Sequence, residues 1–438
     1  CNRGSSIMIY WAPLLHFYQP PTQIFAILKK VCDESYRPLI KVLQGYPYAK
    51  ATINMNAVLT EMLWEHGQSA VIKGLQELAQ RGQIEFTGSG KYHPILPLIP
   101  DEEIERQIRR NHLTNRHFFG SVYSPRGFFP PEMAYSHEIL APIAESRHEW
   151  IILSGIACPA KWPMDIIYEV EADGEKMAVF FRDDILSNKI SFQSINGAGF
   201  IQHLKQLHSG QGDIYVITAM DAETFGHHIQ NWEKLFLAEV YEALEPPGPL
   251  FNSLPVQKPV AEQHQGLFSF GSAAKDIEIV TISQLLDLFP RGPIVQPRTS
   301  SWSTSQQDLD QNNPFPLWQD KNNMVHQMQW EHQSLCHDLV ERALKLADNP
   351  ESQRYAHISR GLFDPSLHSC QFWWASKKPW WDINMVSHGL VQQEEVILNA
   401  FRAIKLSGCS DEEKRNAYYQ VIITRDLRTK IRERLMWD

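Results

Sequence analysis

Short apolar runs alternate with amphipathic stretches of period near 3.6 from residue 8 to residue 290. The clearest run is 213–220. Ile214, Tyr215, Val216, Ile217 and Thr218 form a β-branched and aromatic strand that breaks abruptly into Asp221, Glu223, His227 and His228. Runs of the same kind cover 8–15, 51–59, 84–86, 149–155 and 176–184, another opens at 126 and stops at Pro130 and Pro131, and 277–286 holds a last strand and a helix start. The first of these is apolar on both faces, as in a buried parallel sheet. Helical periodicity fills the intervals at 23–45, 68–81, 101–119 and 230–244. The alternation recurs about seven or eight times, which predicts a parallel α/β fold, and polar residues at successive strand exits predict a barrel rather than an open sheet.

The pattern changes at 291–317, a stretch rich in Pro, Ser, Gln and Asn that reads as a connector. Beyond it the periodicity is helical at 322–347, 350–360, 380–408 and 410–435, interrupted by a Trp-rich segment at 369–384. The expected organisation is an extension or remnant at 1–7, a catalytic barrel at 8–290, a connector at 291–317 and a helical part at 318–438 packed on the barrel. The Trp segment reads equally as the seam between the two or as a wall of the active site.

Composition narrows the function. The 438 residues are 43% hydrophobic and 21% charged, enough for a large core. The net charge of −9, without a long basic run, speaks against a nucleic-acid partner. Thirteen Trp and fourteen Tyr favour a carbohydrate ligand, since aromatic faces stack on sugar rings, although each taken singly is equally a core residue. The six cysteines are scattered without a zinc spacing and read as reduced thiols of a cytoplasmic protein. No apolar run is long enough for a membrane helix, and no signal peptide is visible. Cys1 as the mature end of a processed lipoprotein, or a secreted protein, is the alternative location. Neither a G-x-G-x-x-G nor a Walker A loop occurs, so no cofactor is expected.

Two carboxylates stand out, Glu132 and Asp221, each following an apolar strand and so placed at one rim of a barrel. Glycoside hydrolysis needs two such groups with unequal pKa values across the scissile bond. Glu223 and Asp183 are rivals for either role. The plainer reading of 221–223 is that Asp221 caps the next helix and Glu223 sits in its first turn. His16 and His93 suit neutral hydrogen bonds to sugar hydroxyls or simple turn-capping, and Gln19 lies beside His16 at a strand exit. The adjacent His227 and His228 lack a third ligand at zinc spacing, so no metal is expected.

Together these residues resemble glycoside hydrolase family 57, retaining enzymes active on α-glucans. HFYQP (16–20) is similar to the family's first region, with Tyr18 where a second histidine is common. GQIEFTGSGKYHPILPL (82–98), GFFPPEMAYS (127–136), MDAETFGHH (220–228) and CQFWWAS (370–376) resemble the next four. The resemblance implies an incomplete (β/α)7 barrel followed by a C-terminal helical bundle. It implies Glu132 as nucleophile, Asp221 as general acid/base, and substrate contacts from His16, Gln19, His93, Glu223, His227 and the aromatics Trp373 and Trp374. FRDDILSNKISF (181–192) also looks like a family stretch and brings Arg182 and Asp183 near the site.

The expected activity is retaining hydrolysis of α-1,4 glucosidic bonds, with α-1,6 bonds as the further option, in an α-glucan or maltooligosaccharide. Alternatives within the family are 4-α-glucanotransferase, branching enzyme and action on another sugar. Outside it stand a metal-dependent deacetylase or α-mannosidase-like hydrolase and a non-catalytic glucan-binding protein.

Overall fold

The computed structural model describes residues 7–207, 212–246, 274, 276–378 and 381–437. Cys1 with nearly all of the expected extension, and Trp380, lie outside the described residues. The chain forms two compact units. One comprises Cys1–Gln19, Gln23–Lys91 and Pro100–Trp302; the other comprises Pro20–Thr22, Tyr92–Ile99 and Ser303–Asp438.

The first unit is built on one curled sheet. Its strands are β1 (Ile9–Phe17), β2 (Ala51–Met55), β3 (Ile84–Gly88), β4 (Gly127–Phe128), β5 (Trp150–Leu153), β6 (Ile167–Ala172), β7 (Glu175–Phe181), β8 (Ile214–Asp221), β9 (Ile277–Ile279) and β10 (Arg291–Ile294). The order is β10-β6-β7-β5-β4-β3-β2-β1-β8, and the short β9 pairs beside the start of β1. Parallel pairing runs unbroken from β7 through β5, β4, β3, β2 and β1 to β8, which makes the seven-stranded incomplete barrel. The curl brings β8 against chain near β6 and β7: Asp183 N–H donates to Ile217 O at 2.8 Å and Tyr215 N–H to Met164 O at 2.7 Å.

Both faces of these strands are buried, each for its own reason. Every second residue, Tyr10, Ala12 and Leu14 on β1, Trp150 and Ile152 on β5, Ala178 and Phe180 on β7, Tyr215, Ile217 and Ala219 on β8, joins one apolar cluster that fills the interior. The alternate face meets helices. There Trp11 packs edge-on against Phe200 of the helix Gly197–Leu207 at 4.9 Å and donates its indole N–H to Thr218 Oγ1 at 2.9 Å.

Three departures from the sequence expectation have physical causes. β6 was not expected; it pairs antiparallel with β7 through Asp173 and Gly174, both at positive φ, a two-residue turn that matches strand twist. β10 and the helix Gln306–Asp310 fall within the stretch expected to be a connector. The expected helix at 23–45 is interrupted by a π turn, Cys32–Tyr36, and the one at 230–244 opens with another, Glu233–Ala238. Such wide turns are frequent next to functional sites.

The second unit is helical. Its long helices are Met324–Leu346, Pro350–Ser366, Ile383–Leu406 and Asp411–Trp437. The first three are capped by Asn323, Asn349 and Asp382, whose side chains accept the first orphan N–H groups. Val325, Ala375, Val386, Leu390, Ile431 and Leu435 form an apolar cluster in this unit. A buried polar seam also crosses it: His332 Nδ1 lies 2.6 Å from Gln393 Oε1, and Gln393 Nε2 donates to Gln371 Oε1 at 3.2 Å. No helix among the described residues is long and apolar enough to cross a membrane.

Candidate active site

The interior face of the barrel strands continues past their apolar part. On β8, Tyr215, Ile217 and Ala219 lead by period two to Asp221; on β1, Tyr10, Ala12 and Leu14 lead to His16. His16 and Asp221 are register partners in the parallel ladder. On β7 the same parity leads from Ala178 and Phe180 to Arg182.

Asp221 starts the short turn Ala222–Thr224 but its side chain makes no cap bond there, so capping does not account for it. Burial raises its carboxyl to about 6, against the opposing pull of the Arg182 guanidinium. Arg182 is held at three points: Nε donates to Ala219 O at 2.7 Å, Nη1 to Asp184 Oδ1 at 2.8 Å and Nη2 to Asn188 Oδ1 at 2.9 Å. The neighbouring Asp183 does cap: its Oδ1 accepts Leu186 N–H at 2.8 Å, opening the helix Asp184–Ser191.

Glu132 is presented differently. The two-residue β4 ends ahead of Pro130 and Pro131, and Glu132 itself adopts φ 59° and ψ 16°. A non-glycine residue in this left-handed region carries about 1–3 kcal/mol of strain and persists where its surroundings fix it. Here Met133 N–H bonds Pro130 O at 2.7 Å, Ala134 N–H bonds Pro131 O at 3.0 Å, and Trp302 N–H bonds Glu132 O at 3.1 Å. The Trp302 indole also donates to Glu132 Oε2 at 2.7 Å. Burial, then the negative charge of Asp221, pushes the Glu132 carboxyl up to about 8, and the Trp302 bond opposes both.

A third carboxylate, Glu223, accepts hydrogen bonds at Oε1 from the Tyr36 hydroxyl and from Gln19 Nε2 at 3.0 Å. Burial first and Asp221 second hold its carboxyl above the usual range. Gln19 is itself fixed by Gln23, whose Nε2 donates to its Oε1 at 2.8 Å. The π turn brings Tyr36 here and also sets Ser35, whose hydroxyl donates to Ala222 O at 2.9 Å. The loop lies so close that a Cβ on Gly226, at φ 110°, would fall 1.8 Å from Glu34 O. His227 Nδ1 donates to Glu34 Oε2 at 2.7 Å.

His16 is buried, stacks on Phe129 with centroids 4.9 Å apart, and has its Nδ1 2.6 Å from Asn54 Oδ1. Burial lowers its pKa to about 4, so it is neutral at physiological pH. The remaining expected site residues belong to the second unit. His93, at φ 58°, has Nδ1 2.9 Å from Ser369 Oγ, and its carbonyl accepts Ser369 N–H at 3.1 Å. Trp373 and Trp374 stand nearly perpendicular at 4.8 Å, and Trp374 packs on the apolar cluster of the helices.

The sequence model described as glycosyl hydrolase family 57 matches residues 11–258, more than half of the chain. The chain belongs to glycosyl hydrolase family 57. An alpha-amylase of Pyrococcus horikoshii is 28% identical over 242 residues, which cover 52% of this chain and 37% of that protein. A 4-alpha-glucanotransferase of Thermococcus litoralis is 24% identical over 308 residues, 67% of this chain and 41% of that protein. The chain thus spans well under half the length of these two relatives. The crystal structure of a GH57-type branching enzyme from Pyrococcus horikoshii shares the fold, with a TM-score of 0.69 at 16% identity over 97% of this chain and 96% of that one.

Within this family 57 chain, several partners of the expected site residues were missed by sequence reasoning: Trp302, Tyr36, Asn54, Asp184 and Glu34. Trp302 carries the one legible signal, a lone Trp in the polar stretch SSWSTS. Tyr36 and Glu34 sit in what reads as an unbroken helix, and their roles come from the π turn that the period does not reveal.

Proposed function

We propose that the protein is a retaining glycoside hydrolase of α-glucans, with Glu132 as nucleophile and Asp221 as general acid/base. Glu132 attacks the anomeric carbon while Asp221 protonates the departing oxygen. Asp221 then takes a proton from the incoming water, and the covalent glycosyl-enzyme is released. The observation that carries this reading is that the Trp302 indole, which donates to Glu132 Oε2, packs edge-on against His16, the register partner of Asp221, so that the charge of Asp221 bears on Glu132 inside one buried site. The two therefore resist ionising together and carry a single negative charge over a wide pH range, the form that double displacement uses. Arg182 lets that charge rest more easily on Asp221. The assigned roles use the tautomer with the proton on Asp221 and the charge on Glu132, which the Trp302 N–H favours.

His16, Gln19, Arg182, Glu223 and His227 are proposed to surround the bound sugar. Asp183 is proposed to act near the site through the helix it caps rather than by direct catalysis. A second reading, transfer to a sugar hydroxyl instead of water, is favoured by the names of two relatives, a 4-alpha-glucanotransferase and a branching enzyme.

The test is product analysis on amylose and maltoheptaose with wild type, Glu132→Ala and Asp221→Ala. Shorter oligosaccharides with new reducing ends, absent from both variants, support hydrolysis by this pair. Longer products without net reducing ends support transfer, and new 1,6 linkages support branching. Absence of product from wild type sinks the α-glucan claim, and loss of activity with a chelator would sink the metal-free mechanism.

A further inference from the structure

We propose that Trp302 is a positioning residue for the nucleophile: its indole N–H holds Oε2 of Glu132, so that the anion forms on Glu132 and Oε1 makes the bond to the sugar. This rests on the reading of Glu132 as the nucleophile.

One residue grips Glu132 twice. The Trp302 backbone N–H bonds the Glu132 carbonyl at 3.1 Å and its indole bonds Oε2 at 2.7 Å. The flanking segments are zipped together. Tyr135 N–H donates to Ser300 O at 2.8 Å and Ser300 N–H donates back to Tyr135 O at 3.2 Å, an isolated antiparallel bridge. The left-handed Glu132 backbone is thus braced by a segment 170 residues later in the chain.

The ring is fixed as firmly as the backbone. Its centroid lies 5.8 Å from both Phe129 and His16 in edge-to-face contacts. The Arg182 guanidinium carbon lies 5.7 Å from the indole centroid. A cation near the indole face draws electron density from the ring and strengthens its N–H as a donor. An indole N–H only donates, so it favours a carboxylate over a carboxylic acid at its partner.

This gives Trp302 work in both half-reactions. When Glu132 Oε1 attacks, the bond from the anomeric carbon to the glycosidic oxygen breaks, its electron pair leaves on that oxygen, and the Asp221 proton goes to it. Oε2 becomes the carbonyl oxygen of the ester. In the second half Asp221 takes the proton of water, and water oxygen bonds the anomeric carbon. The Oε1 bond breaks and its electron pair returns to the carboxylate, whose charge the N–H again stabilises. Loss of the donor should slow ester breakdown more than its formation, since it makes Glu132 a poorer leaving group.

The experiment compares wild type, Trp302→Phe, and the enzyme carrying 3-benzothienylalanine at 302, which keeps the bicyclic shape and replaces N–H by sulfur. The substrate is an aryl α-maltooligoside with a good leaving group. The wild-type enzyme is first trapped with a 5-fluoro glycosyl fluoride and the labelled peptide is mapped. The expected result is a label on Glu132. Both variants should lose roughly 10- to 100-fold in kcat with KM falling alongside, as expected for losing a hydrogen bond to a charged group in the slow step. A burst of phenol should appear. The basic limb of kcat/KM, set near 8 by Glu132, should move up by roughly one pH unit. A label on Glu132 with both variants keeping the wild-type limb and lacking a burst overturns this proposal alone. A label elsewhere, or none, overturns the nucleophile assignment and this proposal with it.

Discussion

Asp221 and Glu132 reach the same site by opposite routes. Asp221 needs only the regular alternation of β8: the face that buries Tyr215, Ile217 and Ala219 arrives at Asp221 where the strand ends. Glu132 follows a strand of two residues, sits at φ 59°, and is held by two prolines before it and by Trp302 from far along the chain. Regular backbone places a side chain by local sequence alone. Irregular backbone places it only with help from distant contacts, and the strain it carries is the mark of that help.

The largest effect expected at either pole of this comparison is loss of the carboxylate itself. Glu132→Ala should lower kcat on the order of 10⁴-fold or more, as removal of a nucleophile does. Asp221→Ala should cost about 10²- to 10⁴-fold on natural substrates and less on an aryl glycoside whose leaving group needs no proton. Added azide gives the discriminating product. It should rescue Asp221→Ala with an α-glycosyl azide, by attack on the covalent intermediate, and Glu132→Ala with the β-anomer, by direct displacement. Exchanged stereochemistry would reverse the two roles.

Gly226 tests the regular route. The loop after β8 runs against the π turn so closely that a Cβ would overlap the Glu34 carbonyl, and Gly226 holds φ 110°. Gly226→Ala should therefore destabilise the protein by roughly 2–4 kcal/mol and release the Tyr36, Ser35 and His227 contacts to this loop. Urea denaturation measures the first; a disproportionate fall in activity relative to folded fraction measures the second. If Ala is tolerated with an unchanged midpoint, the close approach is not what orders the loop.

The same contrast explains what was legible in the sequence. The barrel strands are legible as short apolar runs between helical stretches, with Asp221 and His16 at their polar exits, and Glu132 is marked by the apolar run and the paired prolines ahead of it. The β6–β7 hairpin was also written there, in Asp173–Gly174 between two alternating runs, but the second run read as a lone strand. Asp183 and Asp221 look alike as acids after strands; only the bond from Leu186 N–H to Asp183 tells the cap from the candidate acid. Trp302 was legible only as a lone Trp in a polar stretch, and its partner, like the π turns and the grip on Glu223, was not, because each depends on which distant segments the fold brings together.

The pair's titration sharpens the comparison further. The proposed double displacement needs one member ionised and the other protonated, a form whose population peaks between the two titrations of the pair. With Asp221 held near 6 and Glu132 near 8, kcat/KM of the free enzyme should be bell-shaped with limbs close to those values and fall about tenfold per pH unit beyond them. The limbs belong to the pair, so the profile is the same whichever residue holds the proton. An optimum below pH 5 would mean the site is far better solvated than its burial implies.

Stability gives the smallest effect and separates the two carboxylates most directly. A carboxyl whose pKa rises on folding binds its proton more tightly in the folded state. Its burden on stability is absent below the unfolded pKa, grows as pH rises and levels off above the folded pKa. For Glu132 that window runs from about 4.5 to about 8, and for Asp221 only from 3.8 to about 6, because Arg182 offsets part of the burial. Glu132→Gln, whose amide oxygen still accepts the Trp302 N–H, should therefore be more stable than wild type at pH 8 by roughly 1–3 kcal/mol and equal to it near pH 4. Asp221→Asn should gain less, and its gain should stop growing near pH 6. Thermal melts of the three proteins across this range measure it; equal gains would mean that Arg182 does not relieve Asp221, and the contrast between a carboxylate placed with a charged partner and one placed by strain would fail.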